Sequence, residues 1–472
     1  MRKNSGRFVR AAAREQKTAY GGIMTRDLTQ GNVRGALLLF SLPIMAGNLL
    51  QQMYNVADTL IVSHYLGPDA LAAVGSAGSL MVLLTSILLG LCMGSGVVFS
   101  QLFGAGQHQR LRRGVCNAFL LVALLAVALN AASYAFLRPI LQWLNTPPEA
   151  LADTEAYLRV ILAGLLATFV YNFLAAVLRA IGNSLVPLLI TAGAAVLNIV
   201  LDLWFVLGLG RGVGGAAEAT VISQAASALA VAVYYWAKAP FLRPRRQDWR
   251  LDGELVRRLA QSSVLTSLQQ SVMNFGILMV QGLVNSFGVA VMAAYTAAGK
   301  VNSFALMPAT DFGNGFGTFI AQNAGARKPG RIREGIRQGI FISGCFCLAI
   351  SAAVWVGAPW LMQLFIDAKE SAIIATGVQY LRIEGACYVG IGVLTLLYGL
   401  YCGLERAQMS ILLSMVSLGT RVGLAYLLAP IPAIGLPGIW WAVPIGWFLA
   451  DAVGLAYFAR RRQKLLPWGA ER

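Results

Sequence analysis

Twelve long apolar segments divide this chain, and they limit what it can fold into. Each is long enough to cross a bilayer, which takes about 20 apolar residues in helical form. A single segment in lipid satisfies its own backbone hydrogen bonds only as a helix. Only 12% of the residues are charged, whereas soluble domains carry about 25%, so the sequence predicts an all-α polytopic membrane protein. The predicted spans are 35–62, 71–100, 114–137, 155–181, 185–209, 213–237, 259–286, 289–322, 333–366, 374–402, 408–430 and 436–459.

The basic residues predict the orientation of these spans. Most of the 37 Lys and Arg residues lie in the two tails and in alternate loops, around 110, 238–258 and 327–337. The positive-inside rule places these regions in the cytoplasm, which predicts cytoplasmic termini in a plasma (inner) membrane. Because the net charge of +17 is spread over short loops, no nucleic-acid partner is expected. The exceptions, on the opposite side or within spans, are Arg138, Arg159, Arg211, Lys300, Lys369, Arg382 and Arg421.

The two halves of the chain resemble each other at an offset of about 221 positions. Gln101 and Gly104 fall on Gln322 and Gly325, and "LAAVGSAGSL" falls on "MAAYTAAGKV". Six spans per half is an even number, which predicts two six-helix bundles related by a pseudo-two-fold axis along the membrane normal, typical of alternating-access transporters. The predicted domains are a basic cytoplasmic N-terminal tail (1–34), the N-terminal bundle (35–237), a cytoplasmic linker (238–258), the C-terminal bundle (259–459) and a basic cytoplasmic tail (460–472). Within the first tail, residues 1–23 are expected to be disordered or optional.

Two aspartates lie well inside predicted spans of the N-terminal half. An ionised Asp at the bilayer centre costs roughly 2.5–3.5 kcal/mol, and such residues are by default functional. Gln51, Asn55 and Asp58 share one helix face at spacing i, i+4, i+7, and Asn198 and Asp202 share another. At about 1.5 Å per residue both acids lie roughly 12–14 Å below the outer end of their spans. The equivalent positions in the second half are apolar or glycine, which predicts an ion-coupling site in the N-terminal half alone.

The ion at this site is predicted from the chemistry of buried carboxyl groups. Desolvation and mutual repulsion favour the protonated form, so Asp58 and Asp202 can bind H⁺ and release it to the other side. They could instead hold a dehydrated Na⁺ with Asn198, or form a structural hydrogen-bonded pair. Asp311, in the C-terminal half, is either a second ion or substrate contact or an ordinary polar residue. Pro43 removes a backbone hydrogen bond from the first span and could produce a functional bend or a static kink.

Enzymatic classes find no support in the sequence. His64 and His108 are far apart, and the six cysteines include no CxxC pair, so neither a metal centre nor a nucleophile–base pair is predicted. A lipid-linked-sugar flippase is a less favoured alternative, since it would need basic residues inside the spans and Arg421 is the main one.

The segments "LLFSLPIMAGNLLQQMYNVADTLIVSHYLGPDALAAVG" and "LNIVLDLWFVLGLGRGVGGAAEATVISQ" resemble the multidrug and toxic compound extrusion (MATE) family, in particular the bacterial branch of the DNA-damage-inducible protein F. The resemblance implies a functional monomer that exports small cationic, amphipathic compounds in exchange for H⁺ or Na⁺, without another cofactor. The family's first-span acid matches Asp58 and its kinked proline matches Pro43. Its other ion-coupling positions match Tyr157, Asn172, Asn198, Asp202 and Thr220.

One departure from the family favours H⁺. Another branch carries a Na⁺-binding acid on the seventh span, which here reads "TSLQQSVMNFGILMVQ" without an acid. We therefore predict a proton-coupled drug antiporter, with a Na⁺-coupled exporter as the alternative. Soft and aromatic side chains are expected to hold flat cations in a central cavity. The predicted cavity residues are Met53, Tyr54, Gln270, Met273, Asn274, Met307 and Asp311.

Overall fold

The computed structural model describes residues 26–66, 68–143, 148–432 and 434–466, and the part described is built of helices. Most of the tail 1–34 and residues 467–472 of the C-terminal tail lie outside the described residues. The α-helices are α1 Val33–Leu66, α2 Pro68–Gly104, α3 His108–Ala135, α4 Leu137–Trp143, α5 Pro148–Ala180, α6 Leu185–Asp202, α7 Gly212–Lys238, α8 Gly253–Asn285, α9 Val289–Gly325, α10 Pro329–Gln363, α11 Ser371–Ala386, α12 Tyr388–Gly403, α13 Ala407–Leu428 and α14 Gly435–Leu465.

The long helices coincide with the predicted spans. In the described part of the chain, nine helices are long and apolar enough to cross a membrane by themselves. A tenth span is formed if α11 and α12, which meet at an angle of 53°, are counted together. The all-α polytopic fold class predicted from the sequence is therefore confirmed. The tenth span was expected to be continuous over 374–402, and the break within it is a correction to that expectation.

Helices α8 and α9 coincide with predicted spans but are too polar to meet the same criterion. On α8 the side chains of Ser263 and Gln269 are buried, whereas those of Val264, Leu268 and Phe275 are exposed. Polar groups in a membrane are tolerated where they face protein instead of lipid. The low mean hydropathy of α8 thus reflects side chains that are enclosed by other helices.

The chain divides into two compact units, which do not coincide with the two halves of the sequence. Of the residues described, unit 1 comprises those within Met1–Asp27 and Ala46–Ser263, and unit 2 comprises those within Leu28–Met45 and Val264–Arg472. The division falls within α1, two residues after Pro43, and within α8. Helix α1 continues through Pro43 without a break. The bundle boundaries 35–237 and 259–459 stay a prediction. The start of the first helix of each half packs with residues of the other half.

The predicted linker 238–258 contains two short 3₁₀ helices, Pro240–Leu242 and Arg246–Trp249, before α8 begins. It lies on α3 within unit 1. Asp248, whose side chain is fully buried, forms an ion pair with Arg112 over 3.2 Å, and the Arg112 guanidinium also donates to the Phe241 carbonyl. This part of the linker is therefore an ordered element of unit 1.

Candidate functional site

An open cavity lies within unit 1, between parts of α1, α5, α6 and α7. Nearly all of its lining residues carry a hydroxyl or amide group, although the helices that supply them are apolar overall. The residues that line it are Gln51, Tyr54, Thr168, Tyr171, Asn172, Thr191, Ala194, Asn198, Thr220, Ser223, Gln224 and Ser227. A polar hollow in an apolar bundle is where a hydrated or cationic solute can be held.

Hydrogen bonds fix the polar wall of this cavity. Thr168 on α5 donates to Gln224 Oε1 on α7 at 2.6 Å, and Tyr171 on α5 pairs with the Thr191 hydroxyl on α6 at 2.5 Å. The Asn172 amide donates to the Thr168 carbonyl at 2.8 Å. These contacts join three helices, so the positions of the lining groups are set by helix packing.

Asp202 is fully buried and adjoins this wall. It is the last residue of α6, after which the chain turns through a π-helical segment, Leu203–Gly208. Such segments are rare and occur frequently at functional sites. Neither carboxylate oxygen of Asp202 has a hydrogen-bond partner among the residues described. One turn earlier, the buried Asn198 donates weakly to the Thr220 hydroxyl at 3.5 Å, and its Oδ1 also lacks a described partner.

Asp58 lies on α1 close enough to Asp202 for the two to interact electrostatically. Its side chain is half-buried, and its Oδ1 is buried without a hydrogen-bond partner in the described structure. Tyr157 on α5 is buried and interacts electrostatically with both acids, and Tyr54 on α1 does the same. The four side chains form one group, in which two carboxyl groups face two phenols.

The structure thus brings together most of the residues predicted for ion coupling. Gln51, Asn172, Asn198 and Thr220 line the cavity, and Asp58, Tyr157 and Asp202 form the adjoining group. Asn55 is exposed, and its amide donates to Gln52 on its own helix. Their roles in ion coupling stay a prediction.

The residues predicted for the substrate cavity fall in both units. Tyr54 lines the cavity of unit 1, and Met53 on the same helix is 57% exposed. The other five lie in unit 2, where Asp311 is buried and the remaining four are half-buried. These are Gln270, Met273, Asn274, Met307 and Asp311. Their part in substrate binding stays a prediction.

The sequence analysis missed seven of the twelve residues that line the cavity, among them Ser223, Gln224 and Ser227 on α7. Together with Thr220, which was predicted, these three follow spacing i, i+3, i+4, i+7. That spacing puts them on one helix face, so the rule that singled out Gln51 and Asp58 could have found them too. Their side chains are uncharged and carry a smaller desolvation penalty, which makes the signal weaker.

The model of the MatE family matches residues 43–204 and 263–427 of the chain, which include both Asp58 and Asp202. The chain belongs to the MatE family. Among its relatives is the probable multidrug resistance protein YpnP of Bacillus subtilis (strain 168), which is 31% identical over 83% of this chain and 87% of that protein. The multidrug export protein MepA of Staphylococcus aureus is 23% identical over 90% of this chain and 94% of that protein.

Solved MATE structures support the same assignment at the level of the fold. A MOP superfamily transporter from Pyrococcus furiosus superposes with a TM-score of 0.88, over 94% of this chain and 99% of that chain, at 24% identity. This member of the MatE family is therefore a multi-pass transporter built on the MATE fold. The branch to which it belongs within the family stays a prediction.

Proposed function

We propose that this MATE protein exports small cationic, amphipathic drugs or toxic compounds in exchange for H⁺ by alternating access. Asp58 and Asp202 are the proton-binding residues. The observation that carries the proposal is the fully buried carboxyl of Asp202, which has no described hydrogen-bond partner and adjoins a polar cavity in unit 1. The relatives YpnP and MepA are a probable multidrug resistance protein and a multidrug export protein, respectively.

Exchange follows from the cost of a buried negative charge. An ionised carboxylate out of water is disfavoured by several kcal/mol unless a cation or proton neutralises it. At Asp58 and Asp202 the neutralising group can be H⁺ or the cationic substrate. Because either H⁺ or the cationic substrate is enough to neutralise the carboxylates, binding of H⁺ favours release of the substrate. Tyr54 and Tyr171 in the cavity wall can hold a flat organic cation through their ring faces.

Transport in proteoliposomes tests this proposal. We expect an imposed pH gradient to drive ethidium transport by the parent protein. The variants Asp58→Asn and Asp202→Asn keep the side-chain volume but cannot bind and release a proton, so each should reduce coupled transport at least tenfold. The exposed Asp367 of unit 2 offers a matched control, and Asp367→Asn should behave as the parent does.

The same vesicles separate the two coupling ions. A Na⁺ gradient without a pH gradient should drive no transport. If ethidium were transported with the Na⁺ gradient and not with the pH gradient, the coupling ion at Asp58 and Asp202 would be Na⁺. Full pH-driven transport by both Asn variants would overturn the proposal.

The flippase alternative gains no support, because Arg421 is surrounded by buried tyrosines and does not line the described cavity. A plasma-membrane location with cytoplasmic termini and a functional monomer belong to the same proposal.

A further inference from the structure

Another buried acid, Glu384, lies in unit 2 and takes no part in the function proposed above. Its side chain is fully buried near the end of α11, within a group of polar and aromatic side chains from four other helices. We call this group the Glu384 cluster. Its members are Tyr295, Asn302, Tyr380, Glu384, Tyr388, Arg421 and Trp440.

One amide in the cluster joins the two sides of the break in the tenth span. Asn302 on α9 donates to Glu384 Oε2 at 2.7 Å, and its Oδ1 accepts a hydrogen bond from the Tyr388 hydroxyl at 2.7 Å. Glu384 lies two residues before the end of α11, and Tyr388 is the first residue of α12. The carboxyl group is therefore held at the point where the span bends by 53°.

The cluster does not neutralise Glu384 by a close ion pair. Arg421 on α13 attracts the carboxylate electrostatically, but its guanidinium donates to the Tyr295 hydroxyl at 3.3 Å. No ion pair within 4 Å joins Arg421 to Glu384 in the described part of the chain. Glu384 Oε1 and Arg421 Nε are both buried without a described hydrogen-bond partner. An ionised carboxylate in this position loses its hydration, and the attraction to Arg421 offsets this desolvation cost less than a contact ion pair would.

We propose that Glu384 is a second proton-binding site, which takes H⁺ from water onto its carboxyl group and returns it there as the ionised form is drawn towards Arg421. The titratable groups that face it are Tyr295 from α9, Tyr380 from α11, Cys387 between α11 and α12, Tyr388 from α12, and Arg421 from α13. Cysteine, tyrosine and arginine ordinarily titrate at about pH 8.5, about pH 10 and above 12, and burial opposes the charged forms of cysteine and tyrosine. We therefore assign the proton exchange to Glu384, the carboxyl group of the cluster.

The proton changes how the two halves of the tenth span are held. In the ionised state the carboxylate attracts the Asn302 amide and the Arg421 guanidinium, which come from different helices. In the protonated state the attraction to Arg421 is lost while Oε2 can still accept from Asn302. Because Asn302 also holds Tyr388, proton binding at Glu384 alters the balance of forces at the bend.

Infrared spectroscopy of the purified protein in lipid nanodiscs tests this proposal without substrate or a gradient. Protonated carboxyl groups have a carbonyl stretch that disappears on ionisation. We expect the pH-difference spectrum to contain one such band that is missing in Glu384→Gln and present in the double variant Asp58→Asn, Asp202→Asn. The exposed Glu370, which precedes α11, provides the control, and Glu370→Gln should leave that band in place. The proposal does not depend on Asp58 or Asp202, and the double variant keeps the two tests apart.

A second variant keeps the test decisive if Glu384→Gln does not fold. Asn302→Ala retains the acid and removes the hydrogen bond to Oε2, so the Glu384 carbonyl band should move in frequency. A spectrum that is the same in Glu384→Gln as in the parent, or a band unmoved in Asn302→Ala, would show that Glu384 stays ionised or is not the titrating group, and would overturn the proposal.

Discussion

At the scale of single residues, the two acids of unit 1 differ in their surroundings. Asp202 is fully buried at the end of α6, whereas Asp58 is half-buried on α1. The desolvation cost of an ionised carboxylate rises with burial. The proton exchange proposed above would therefore involve one fully buried acid, Asp202, and one acid nearer to water, Asp58. The polar cavity wall beside them is built from neutral side chains that hydrogen-bond to one another.

The bond from Thr168 to Gln224 allows this wall to be tested. Thr168→Val keeps the shape of the side chain but removes the donor, so Gln224 Oε1 loses its 2.6 Å partner. A hydrogen bond of this kind contributes about 1 kcal/mol, which corresponds to roughly a fivefold change in an equilibrium constant. We expect ethidium to bind about fivefold more weakly to Thr168→Val when measured by fluorescence anisotropy. Thr168→Ser keeps the hydroxyl and should bind as the parent does; equal affinity in all three proteins would exclude a role for this bond.

These residues also show what a sequence can and cannot predict. Asp58 and Asp202 could be predicted because a charge within an apolar span carries a penalty that is visible in the sequence. The partnership of Thr168 with Gln224 could not, since it depends on which faces of α5 and α7 pack together. Glu384 and Arg421 were both visible as charged residues, but their common cluster was not, because its members come from helices far apart in the chain.

At the scale of helices, α9 and α12 approach each other closely through glycines within unit 2. Gly313 and Gly317 on α9 face Gly399 on α12, and a Cβ atom at Gly399 would lie 3.1 Å from the backbone nitrogen of Gly317. Small residues let membrane helices approach until their backbones touch. Because α9 also carries Asn302, this contact helps to hold the Glu384 cluster in place.

Replacing one glycine at this contact should separate the two helices. A methyl group at Gly399 meets backbone atoms, which cannot move aside as a side-chain rotamer can, and overpacking of this kind typically costs about 1–3 kcal/mol. We expect Gly399→Ala to lower the unfolding temperature in detergent. Gly419 on α13 has open space around its Cβ position, so Gly419→Ala should leave stability unchanged or raise it by up to about 1 kcal/mol through helix propensity. If the two variants unfolded at the same temperature, the close helix contact would be without energetic effect.

At the scale of the whole chain, the sequence repeat has a structural counterpart in how each half begins. The segment before α1 is held in unit 2, where Arg331 donates to the carbonyls of Leu28, Gln30 and Gly31. The segment before α8 is held in unit 1 by arginines at the start of α3. Arg331 lies one repeat offset from Arg110, so the arginines that hold these segments lie at the start of equivalent helices, although on α3 the contacts are made by Arg112 and Arg113 and not by Arg110. The offset predicted a shared fold for the halves, but this exchange of leading segments became visible only in the structure.

The arginines of α3 predict how firmly the linker between the halves is attached. The Arg112–Asp248 pair is nearly excluded from water, and loss of one partner from such a pair costs about 3–5 kcal/mol. The Arg110–Glu254 pair is exposed, with Glu254 at 82% exposure, and exposed pairs contribute about 0–1 kcal/mol. Cleavage of a segment by protease follows the population in which that segment opens. We therefore expect trypsin to cut the folded protein within 238–258 at least tenfold faster in Arg112→Gln than in the parent, with Arg110→Gln close to the parent rate. The two half-length fragments on a gel measure this cleavage, and equal rates for the two variants would show that the buried pair does not hold the linker.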